Sequence, residues 1–522
     1  MSFEDKGASF LDAAANAVPL RDDSAVSYDD VLAAAQALGK DSTPEAIGKV
    51  VADAAGLGGI AKRRVHEAIK ESTGLPFSAM KAEESQEQEE GPSELELAEA
   101  LVSEIGPENV LADHNFVWRW RDRGVWQRLE DRSVKQMAQR HIADRLEGVR
   151  KSNVDSVADL FKNEIFKDSH QFDVGPPECV NTPTGELVLD PAGFWSLEPH
   201  TREHYRTTQV PVAYDPQATA PQFERFLAST FEGDPDAADK RQVVLEMMGY
   251  TLMAHCRYEK FITLVGSGSN GKSVLMDVLK ALVGSENTAA VQPSQFGRSF
   301  QRAHMDGKLA NVVTEIPEGS VIDDAALKGI TSGEATTVEH KNKDPYVMQP
   351  FATCWFGTNH MPHTRDFTGA FFRRAIVVEF NNKFSPEQGN CDPLLKDKLL
   401  AELPGILNMA LTAYAGVMET GGFTMPASSR HAIGKWRMES DQVAQFVDAA
   451  CIVGDVAPVD RWAPQGLYNQ YRIWADNNGI NKKIGQRKFL DRLATLGHPV
   501  EKRGGRRYVE GLRYDSAAFL GA

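Results

Sequence analysis

The spacing of apolar positions changes at Gly266. Residues 261–265 (FITLV) form a short apolar run rich in β-branched side chains, which predicts a buried strand. From Val274 to Leu282 the apolar residues recur at helical spacing. The chain between these two elements reads GSGSNGKS, so the pattern predicts a strand, a glycine-rich loop and a helix in direct succession.

This loop has the G-x-x-x-x-G-K-S spacing of a phosphate-binding loop, formed by Gly266, Ser267, Gly268, Ser269, Asn270, Gly271, Lys272 and Ser273. Glycines let backbone N–H groups turn toward phosphate oxygens, and the positive end of the following helix points at them. We expect Lys272 to reach the outer phosphates and the Ser273 hydroxyl to ligate Mg²⁺. A glycine-rich turn without a ligand is the alternative. The full match between a strand and a helix favours an ATPase with ATP and Mg²⁺ as cofactors.

A second apolar run supplies the acid that such an ATPase needs. Residues 309–313 predict a strand, and Glu315 follows it about forty residues after Lys272. A carboxylate in this place can hold Mg²⁺ and orient the attacking water. Glu318 is a candidate second acid.

Polar groups also flank two later predicted strands. Residues 351–358 predict a third strand, and Asn359 follows it directly. The side chain of Asn359 can sense the γ-phosphate and position water. Arg373 and Arg374 precede an apolar run, and an arginine supplied across a subunit boundary can neutralise charge during phosphoryl transfer. A surface salt bridge is the alternative for these arginines.

Residues 336–346 predict a β-hairpin with a basic tip. The tip carries His340, Lys341 and Lys343 and lies between two of the ATPase motifs, where a pore loop would belong. A charged tip that is merely solvated is the alternative.

The N-terminal part has a different pattern. Residues 1–25 carry no periodic signal, and residues 29–74 predict a helical hairpin whose second helix bears Lys62, Arg63 and Arg64. A small helical adaptor is favoured over a DNA-binding motif there. Residues 81–92 lack large apolar side chains and predict a flexible linker.

Aromatic and polar residues alternate around a turn in residues 116–126, which predicts a β-hairpin. Aromatic side chains interleaved with arginines could stack on nucleic-acid bases. The buried face of a small sheet is the favoured interpretation, because aromatic residues at strand spacing commonly form one.

The C-terminal part predicts helices around residues 466–474 and 487–493, followed by a turn at Gly504 and Gly505 between short strands. This is a winged-helix pattern with basic residues on the second of these helices and on the wing. The candidate DNA-binding residues are Arg487, Lys488, Arg506 and Arg507. DNA binding is favoured over a protein contact.

Composition changes this picture only in part. The 522 residues include 57 basic and 73 acidic side chains, and the net charge of −16 argues at first against a polyanionic partner. Residues 482–513, however, hold ten basic residues against three acids, so charge is segregated. Five distant cysteines predict neither a disulfide framework nor a zinc site and suit a reducing cytoplasm. We find no apolar run long enough to span a bilayer and no secretory signal pattern, so a cytoplasmic location and no membrane partner are expected.

Taken in order, these motifs resemble the superfamily 3 helicases, specifically the primase-helicase type of satellite phages, plasmids and poxviruses. The matching elements are the loop at 266–273, Glu315, LKGITSG at 327–333, HKNK at 340–343, Asn359, the pair Arg373–Arg374 and ELPGILN at 402–408. Upstream, residues 181–190 and 249–252 resemble the accessory domain of that family.

The resemblance implies an α/β fold with an AAA+ P-loop ATPase core and an α+β N-terminal accessory domain. A small N-terminal helical segment and a C-terminal winged-helix domain complete it. The expected divisions are a helical segment at 1–80, an acidic linker at 81–95, an accessory domain at 96–220, the helicase domain at 221–425 and the winged helix at 430–522.

The resemblance also implies a ring, expected to be a homo-hexamer, that moves 3′ to 5′ on single-stranded DNA and unwinds forks during replication of a phage or other mobile element. Arg374 or Arg373 would act on the ATP of a neighbouring subunit, and Lys341 and Lys343 would grip DNA phosphates in the pore. An ATPase that remodels, loads or senses DNA without unwinding is the alternative.

The chain departs from the family in two places. Some members carry paired acids where this chain reads Thr314–Glu315. About 90 residues precede the accessory region, without an evident acidic catalytic triad, so we predict that this chain does not make primers and that a separate primase or replication protein is its partner.

Overall fold

The computed structural model describes residues 27–81, 92–145, 148–341, 343–364, 366, 369–454, 462–480 and 483–515. The predicted N-terminal segment without periodicity and most of the predicted acidic linker lie outside these residues. The chain divides into two compact units, one made of residues 1–107 and 130–166 and the other of residues 108–129 and 167–522.

The first unit is helical where it is described. Its helices are α1 (Tyr28–Ala37), α2 (Pro44–Ala55), α3 (Gly59–Thr73), α4 (Glu94–Ile105), α5 (Asp131–Ala143) and α6 (Lys151–Glu164). The helical pattern predicted for residues 29–74 is present as three helices, and extended residues at Leu38 and Thr43 separate α1 from α2. Pro44 occupies the first turn of α2 and Thr43 Oγ1 accepts a hydrogen bond from the Ala46 amide, as expected for a helix start.

The second unit begins with two small antiparallel sheets. Their strands are β1 (Val110–Ala112), β2 (Val117–Arg121), β3 (Val125–Leu129), β4 (Cys179–Thr182), β5 (Gly185–Leu189) and β6 (Trp195–Glu198). The predicted aromatic hairpin is confirmed as β2 and β3, which pair with Trp120 opposite Trp126. Trp118 and Trp126 are buried, so the interpretation of the aromatic residues as a packed face is also confirmed.

A larger α/β region follows. Its elements are α7 (Pro221–Thr230), α8 (Ala237–Thr251), β7 (Phe261–Val265), α9 (Lys272–Val283), β8 (Thr288–Ala289), α10 (Ser299–Arg302), β9 (Ala310–Val313), α11 (Asp324–Thr331), β10 (Thr336–Val338), β11 (Tyr346–Met348), β12 (Thr353–Thr358), α12 (Gly369–Phe372), β13 (Ala375–Glu379), α13 (Leu395–Leu400), α14 (Leu403–Thr420) and α15 (Ala427–Ser440).

Five of these strands form a parallel sheet in the order β13-β7-β12-β9-β8. Alternate residues of β7 enter two different cores: Ile262 and Leu264 pack with α8, α9 and α14, whereas Phe261 packs with Phe296 and Phe371. Burial of both faces explains why these strands read as continuous apolar runs. The predicted α/β class is therefore confirmed, and the sheet places the carboxyl ends of its strands along one edge.

The C-terminal region consists of α16 (Gln442–Ala450), β14 (Cys451–Val453), α17 (Pro464–Asn477), α18 (Gln486–Thr495), β15 (Val500–Arg503), β16 (Arg506–Val509) and β17 (Leu512–Tyr514). The three helices and the strands share a core that includes Phe446, Tyr471 and Phe489. The Arg492 side chain is buried in this region, with its Nε atom 2.6 Å from the Asp441 carboxylate, and this ion pair stabilises the fold there.

Residues 96–220, predicted as one accessory domain, are divided between the two units. Helices α4 to α6 pack on one another in the first unit, whereas strands β1 to β6 belong to the second unit. Phe116 meets Tyr346 edge to face with ring centroids 5.3 Å apart, and Glu178 accepts hydrogen bonds from His255 and Tyr414. These long-range contacts were not visible in local sequence patterns.

Candidate nucleotide-binding site and DNA-binding surfaces

The glycine-rich loop joins the end of β7 to the start of α9. Gly268, Ser269 and Gly271 all have positive φ angles, between 50° and 94°, so the loop curls tightly before the helix. A Cβ atom added to Gly266 would lie 2.1 Å from Asn270 Nδ2 and 2.6 Å from the Phe380 carbonyl oxygen. Glycine is therefore required at the loop entry for close packing, and at Gly268 and Gly271 for backbone conformation.

Lys272 lies inside this loop with 6 % of its surface exposed. Its Nζ atom donates hydrogen bonds to the Gly266 carbonyl oxygen at 2.5 Å and to Asn270 Oδ1 at 3.1 Å. Burial lowers the pKa of the Lys272 ammonium, and the charge of Glu315 acts in the opposite direction. The loop thus holds a lysine whose charge is poorly hydrated, which favours its pairing with an anion.

The predicted acid and the predicted sensor lie at the same edge as the loop, because β7, β9 and β12 are parallel and in register. Glu315 and Asn359 are both exposed there. Backbone hydrogen bonds join the ends of these strands. The Gly266 amide donates to the Thr358 carbonyl oxygen at 3.1 Å, and the Ile316 amide donates to the Gly357 carbonyl oxygen at 2.8 Å. The structure therefore brings Lys272, Glu315 and Asn359 to one edge of one sheet.

A segment that the sequence did not single out also contacts the loop. Asn270 Nδ2 donates to the Phe380 carbonyl oxygen at 3.3 Å, and the Phe384 amide donates to the Ser269 carbonyl oxygen at 2.7 Å. Asn382 Nδ2 donates to the Glu232 carbonyl oxygen at 2.9 Å, just after the end of α7. Residues 380–384 thus clasp the loop after β13. Asn381 and Asn382 after a strand were the only signal in the sequence.

Arg373 and Arg374 lie at the opposite edge, since they precede β13. Arg374 is buried and donates to the Ser332 hydroxyl at 2.8 Å, while Arg373 has 65 % of its side chain exposed. Both contact Glu259, which precedes β7. The strands β7 and β13 are each five residues long, so their amino and carboxyl ends are roughly 15 Å apart. These arginines therefore cannot reach a ligand in the loop of their own chain.

The predicted basic hairpin is present as β10 and β11, paired antiparallel. Lys341 and Lys343 are exposed at its tip. His340 instead turns toward the hairpin base, where its ring stacks on Tyr346 and its Nε2 lies 3.1 Å from the Tyr346 hydroxyl. Burial, followed by the charge of Lys343, lowers the pKa of His340. The two lysines, rather than the histidine, therefore present charge to a ligand.

The hairpin base is joined to the aromatic sheet β1–β3. The Tyr346 hydroxyl donates to Asp306 at 2.9 Å, and Arg128 of β3 contacts the same Asp306 carboxylate at 2.6 Å. The Arg128 guanidinium also lies 4.2 Å from the ring centroid of Phe116. The predicted DNA-binding hairpin and the aromatic sheet therefore form one bonded assembly.

In the C-terminal region, Arg487 and Lys488 are exposed on α18, and Arg506 and Arg507 are exposed at the start of β16. Gly504 and Gly505, both with positive φ, make the turn before β16. All four predicted DNA-binding side chains of this region are therefore accessible.

Within the described residues, no helix is long and apolar enough to cross a membrane. The same part of the chain contains no group of three or more His, Cys, Asp or Glu side chains placed to hold a metal ion among themselves.

Two families match parts of the chain. Residues 98–232 match the family described as D5 N terminal like, and residues 264–374 match a family of unknown function, DUF5906. A putative helicase, L207/L206, of Acanthamoeba polyphaga mimivirus is 26 % identical over 151 residues, which are 28 % of this chain and 16 % of that protein. The chain thus spans about a sixth of the length of this relative.

Solved structures of the NrS-1 C-terminal region are also similar to this chain. The A form apo structure aligns with 13 % identity and a TM-score of 0.44, over 80 % of this chain and 99 % of that one. A second apo structure of the region aligns over the same shares with a TM-score of 0.41.

Proposed function

We propose that this chain is an ATP-dependent DNA helicase of superfamily 3 that acts as a ring in the replication of a phage or another mobile genetic element, in the cytoplasm of its host. The observation that carries the proposal is the arrangement of Lys272, Glu315 and Asn359 at one edge of the parallel sheet. A lysine in a glycine-rich loop, a carboxylate and a polar sensor around one helix N-terminus are the groups that phosphoryl transfer requires.

The residues at this edge fit ATP and Mg²⁺. The loop backbone is curled by its positive φ angles, and within the described residues the buried Lys272 ammonium bonds to two uncharged oxygens, those of Gly266 and Asn270. Bound ATP with Mg²⁺ would supply the phosphoryl group and the metal charge. In this proposal Lys272 would bind the outer phosphates, Ser273 and Glu315 would hold Mg²⁺, and Asn359 would orient the attacking water.

The position of the arginines supports a ring. Arg373 and Arg374 lie at the amino edge of the sheet, so they can act only on a nucleotide held by another subunit. A head-to-tail arrangement that closes by rotation brings the amino edge of each subunit to the loop of the next. We propose a homo-hexamer, in which such an arginine neutralises charge at each interface.

Two exposed basic surfaces support DNA as the partner. Lys341 and Lys343 at the hairpin tip would contact phosphates of a single strand moving 3′ to 5′ through the ring. The C-terminal helices with the β15–β16 turn fit a winged helix, and Arg487, Lys488, Arg506 and Arg507 would contact duplex DNA at the fork. The relative named as a putative helicase agrees with this proposal. We further propose a separate primase or another replication protein as a partner.

The test is strand displacement on forked DNA with ATP and Mg²⁺, comparing forks with a 3′ or a 5′ single-stranded tail. We expect displacement that requires the 3′ tail and disappears in the Lys272→Ala variant. ATP hydrolysis that DNA stimulates, without displacement on either fork, would replace the helicase proposal by an ATPase that remodels, loads or senses DNA. An absence of ATP hydrolysis would overturn both.

A further inference from the structure

The aromatic sheet β1–β3 has a second feature besides its buried tryptophans. Along β2, Trp118 and Trp120 point to one face, so Arg119 and Arg121 share the other. Both arginine side chains are partly exposed, and Arg123 is exposed in the turn that follows. Three arginines thus lie within five residues, two of them on one face about 7 Å apart, which is the scale of the separation between successive phosphates on an extended single strand.

The charges of Arg119 and Arg121 have no partner within the sheet. The residues paired beside Arg119 are Val110 and Gln127, and the residue opposite Arg121 is Val125. Opposite charges across strands stabilise a sheet and like charges destabilise it, so these arginines bring the sheet no electrostatic gain.

No carboxylate elsewhere in the described chain compensates for them either. Across the ranges that the structure covers, no ion pair involves Arg119 or Arg121, and Asp122 in the turn is exposed without contacting them. Arg123 reaches Glu286 only at 3.5 Å. Partial burial, and then the charges of Arg119 and Arg123, lower the pKa of Arg121.

The orientation of Arg121 is nevertheless fixed. Its Nε atom donates to Gln127 Oε1 at 2.9 Å, which leaves the terminal Nη groups of the guanidinium for another acceptor. A positioned guanidinium with free N–H groups is suited to an oxyanion, and above all to phosphate. Arg128, by contrast, lies on the other face, where its guanidinium forms an ion pair with Asp306.

The other face ties this sheet to the basic hairpin. Through Arg128, Asp306 and Tyr346 the sheet bonds to the base of β10 and β11, whose tip carries Lys341 and Lys343. The arginine face is therefore held in a fixed relation to the lysines that the proposed function assigns to DNA.

We propose that Arg119, Arg121 and Arg123 form a phosphate-binding track for single-stranded DNA, separate from the hairpin tip and from the C-terminal basic surface. The track binds backbone phosphates and therefore does not depend on base sequence. The inference rests on the proposed function in taking single-stranded DNA as the polyanion.

The test is equilibrium binding of a labelled oligothymidylate to the full chain, over a series of salt concentrations and without nucleotide. Each phosphate contact on a single strand contributes about 0.7 to the slope of log affinity against log salt. We expect the Arg119→Gln/Arg121→Gln variant to bind more weakly, with a slope smaller by about 1.4. A labelled oligonucleotide of mixed sequence should show the same change.

Two controls distinguish the loss of phosphate contacts from damage to the fold. The Arg119→Lys/Arg121→Lys variant keeps both charges and should recover most of the slope, and the Arg140→Gln variant removes an exposed charge from α5 and should change nothing. Basal ATP hydrolysis and the melting temperature should match those of the unmodified protein in all three variants.

The outcomes are distinct. An unchanged slope in the double glutamine variant, in a protein that still displaces strands, would overturn the track and leave the proposed function standing. A change confined to duplex DNA would overturn the assignment to single strands. If the unmodified chain binds no oligothymidylate at any salt concentration, both the track and the helicase proposal fail.

Discussion

Arg374 Nη2 lies 2.7 Å from Glu259 Oε2, and the neighbouring Arg373 reaches the same carboxylate at 3.2 Å. The two side chains differ sharply in exposure, at 8 % for Arg374 and 65 % for Arg373. Arg374 is bonded inward to Ser332 and to the Ala370 carbonyl oxygen, so it anchors β13 to β7 and α11. Arg373 is the one that can leave Glu259 at low cost, since exposed ion pairs contribute little stability.

This difference predicts the result of mixing two inactive variants. Arg373→Ala lacks the arginine offered to a neighbour but keeps its own loop, and Lys272→Ala has the reverse defect. If the arginine acts across subunits, mixed assemblies should regain DNA-stimulated ATP hydrolysis above the level of either variant alone. The measurement is the rate of phosphate release as a function of mixing ratio.

A mixture that stays as inactive as its components would contradict action across subunits. Arg374→Ala serves as the comparison, because it removes a buried cation that pairs with Glu259. We expect it to lower the melting temperature, whereas Arg373→Ala should leave it nearly unchanged.

The Lys272→Ala substitution should reduce ATP hydrolysis by on the order of 10²-fold or more, as expected when a preorganised charge at a phosphoryl-transfer site is removed. Lys280 is a matched control on the same helix, where it pairs with Asp277 at 2.6 Å and is partly exposed. Lys280→Ala should hydrolyse ATP at the normal rate. Equal loss in the two variants would mean that the helix, rather than the loop lysine, accounts for the effect.

Gly357→Ala tests the tight packing of the carboxyl edge. A Cβ at Gly357 would lie 2.3 Å from the Thr314 carbonyl oxygen, a contact that only movement of the backbone could relieve. We expect a lower melting temperature and loss of ATP hydrolysis, because Glu315 and Asn359 would be displaced. Gly434→Ala, in α15 with no atom within 4 Å of the new Cβ, should be neutral or stabilise the helix by about 0.5–1 kcal/mol.

The hairpin should show unequal roles for its two neighbours His340 and Lys341. His340 has a pKa below its ordinary value, so it is neutral at pH 7.5, and His340→Gln should leave the salt dependence of oligothymidylate binding unchanged. Lys341→Ala should reduce the slope by about 0.7. A drop of the same size in both variants would show that the histidine carries charge at the DNA.

The lowered pKa of His340 also sets a pH dependence of stability. The folded protein disfavours the charged ring, so this contribution to stability is complete above the ordinary pKa near 6.5 and is lost as the pH falls from there to the lower pKa of the folded protein. The melting temperature of the unmodified chain should therefore decline below pH 6.5 more steeply than that of His340→Gln. Parallel curves for the two proteins would exclude this histidine as a source of the pH dependence.

Local patterns in the sequence predicted the elements that carry the site. Each strand of the sheet that ends near the loop could be predicted because burial of both faces demands an apolar run, and the loop could be predicted because Gly266 and Gly271 have few substitutes. The clasp at residues 380–384 could not, since it consists of backbone hydrogen bonds to Ser269 and side-chain bonds from Asn270, which leave no periodic trace.

The division of the chain into two units, each made of separate stretches of sequence, could not be predicted from the sequence either. The contacts between Phe116 and Tyr346, and between Glu178 and Tyr414, join residues more than two hundred positions apart. Such pairs depend on topology rather than on neighbours in the sequence. For the same reason the sequence showed only that arginine and tryptophan alternate along β2. The absence of acidic partners for these arginines among the described residues could be seen only in the structure.

Strand β13 begins directly after Arg374 and ends directly before Phe380, and five residues in register hold it against β7. Contiguous segments of a native protein commonly open as cooperative units, so we expect the two ends of this short strand to exchange their amide protons together. Loosening the anchor at Arg374 would therefore speed deuterium uptake at the Phe384 amide, some ten residues away on the far edge. We therefore expect the contacts of Arg374 and the backbone that clasps the loop to share one opening equilibrium.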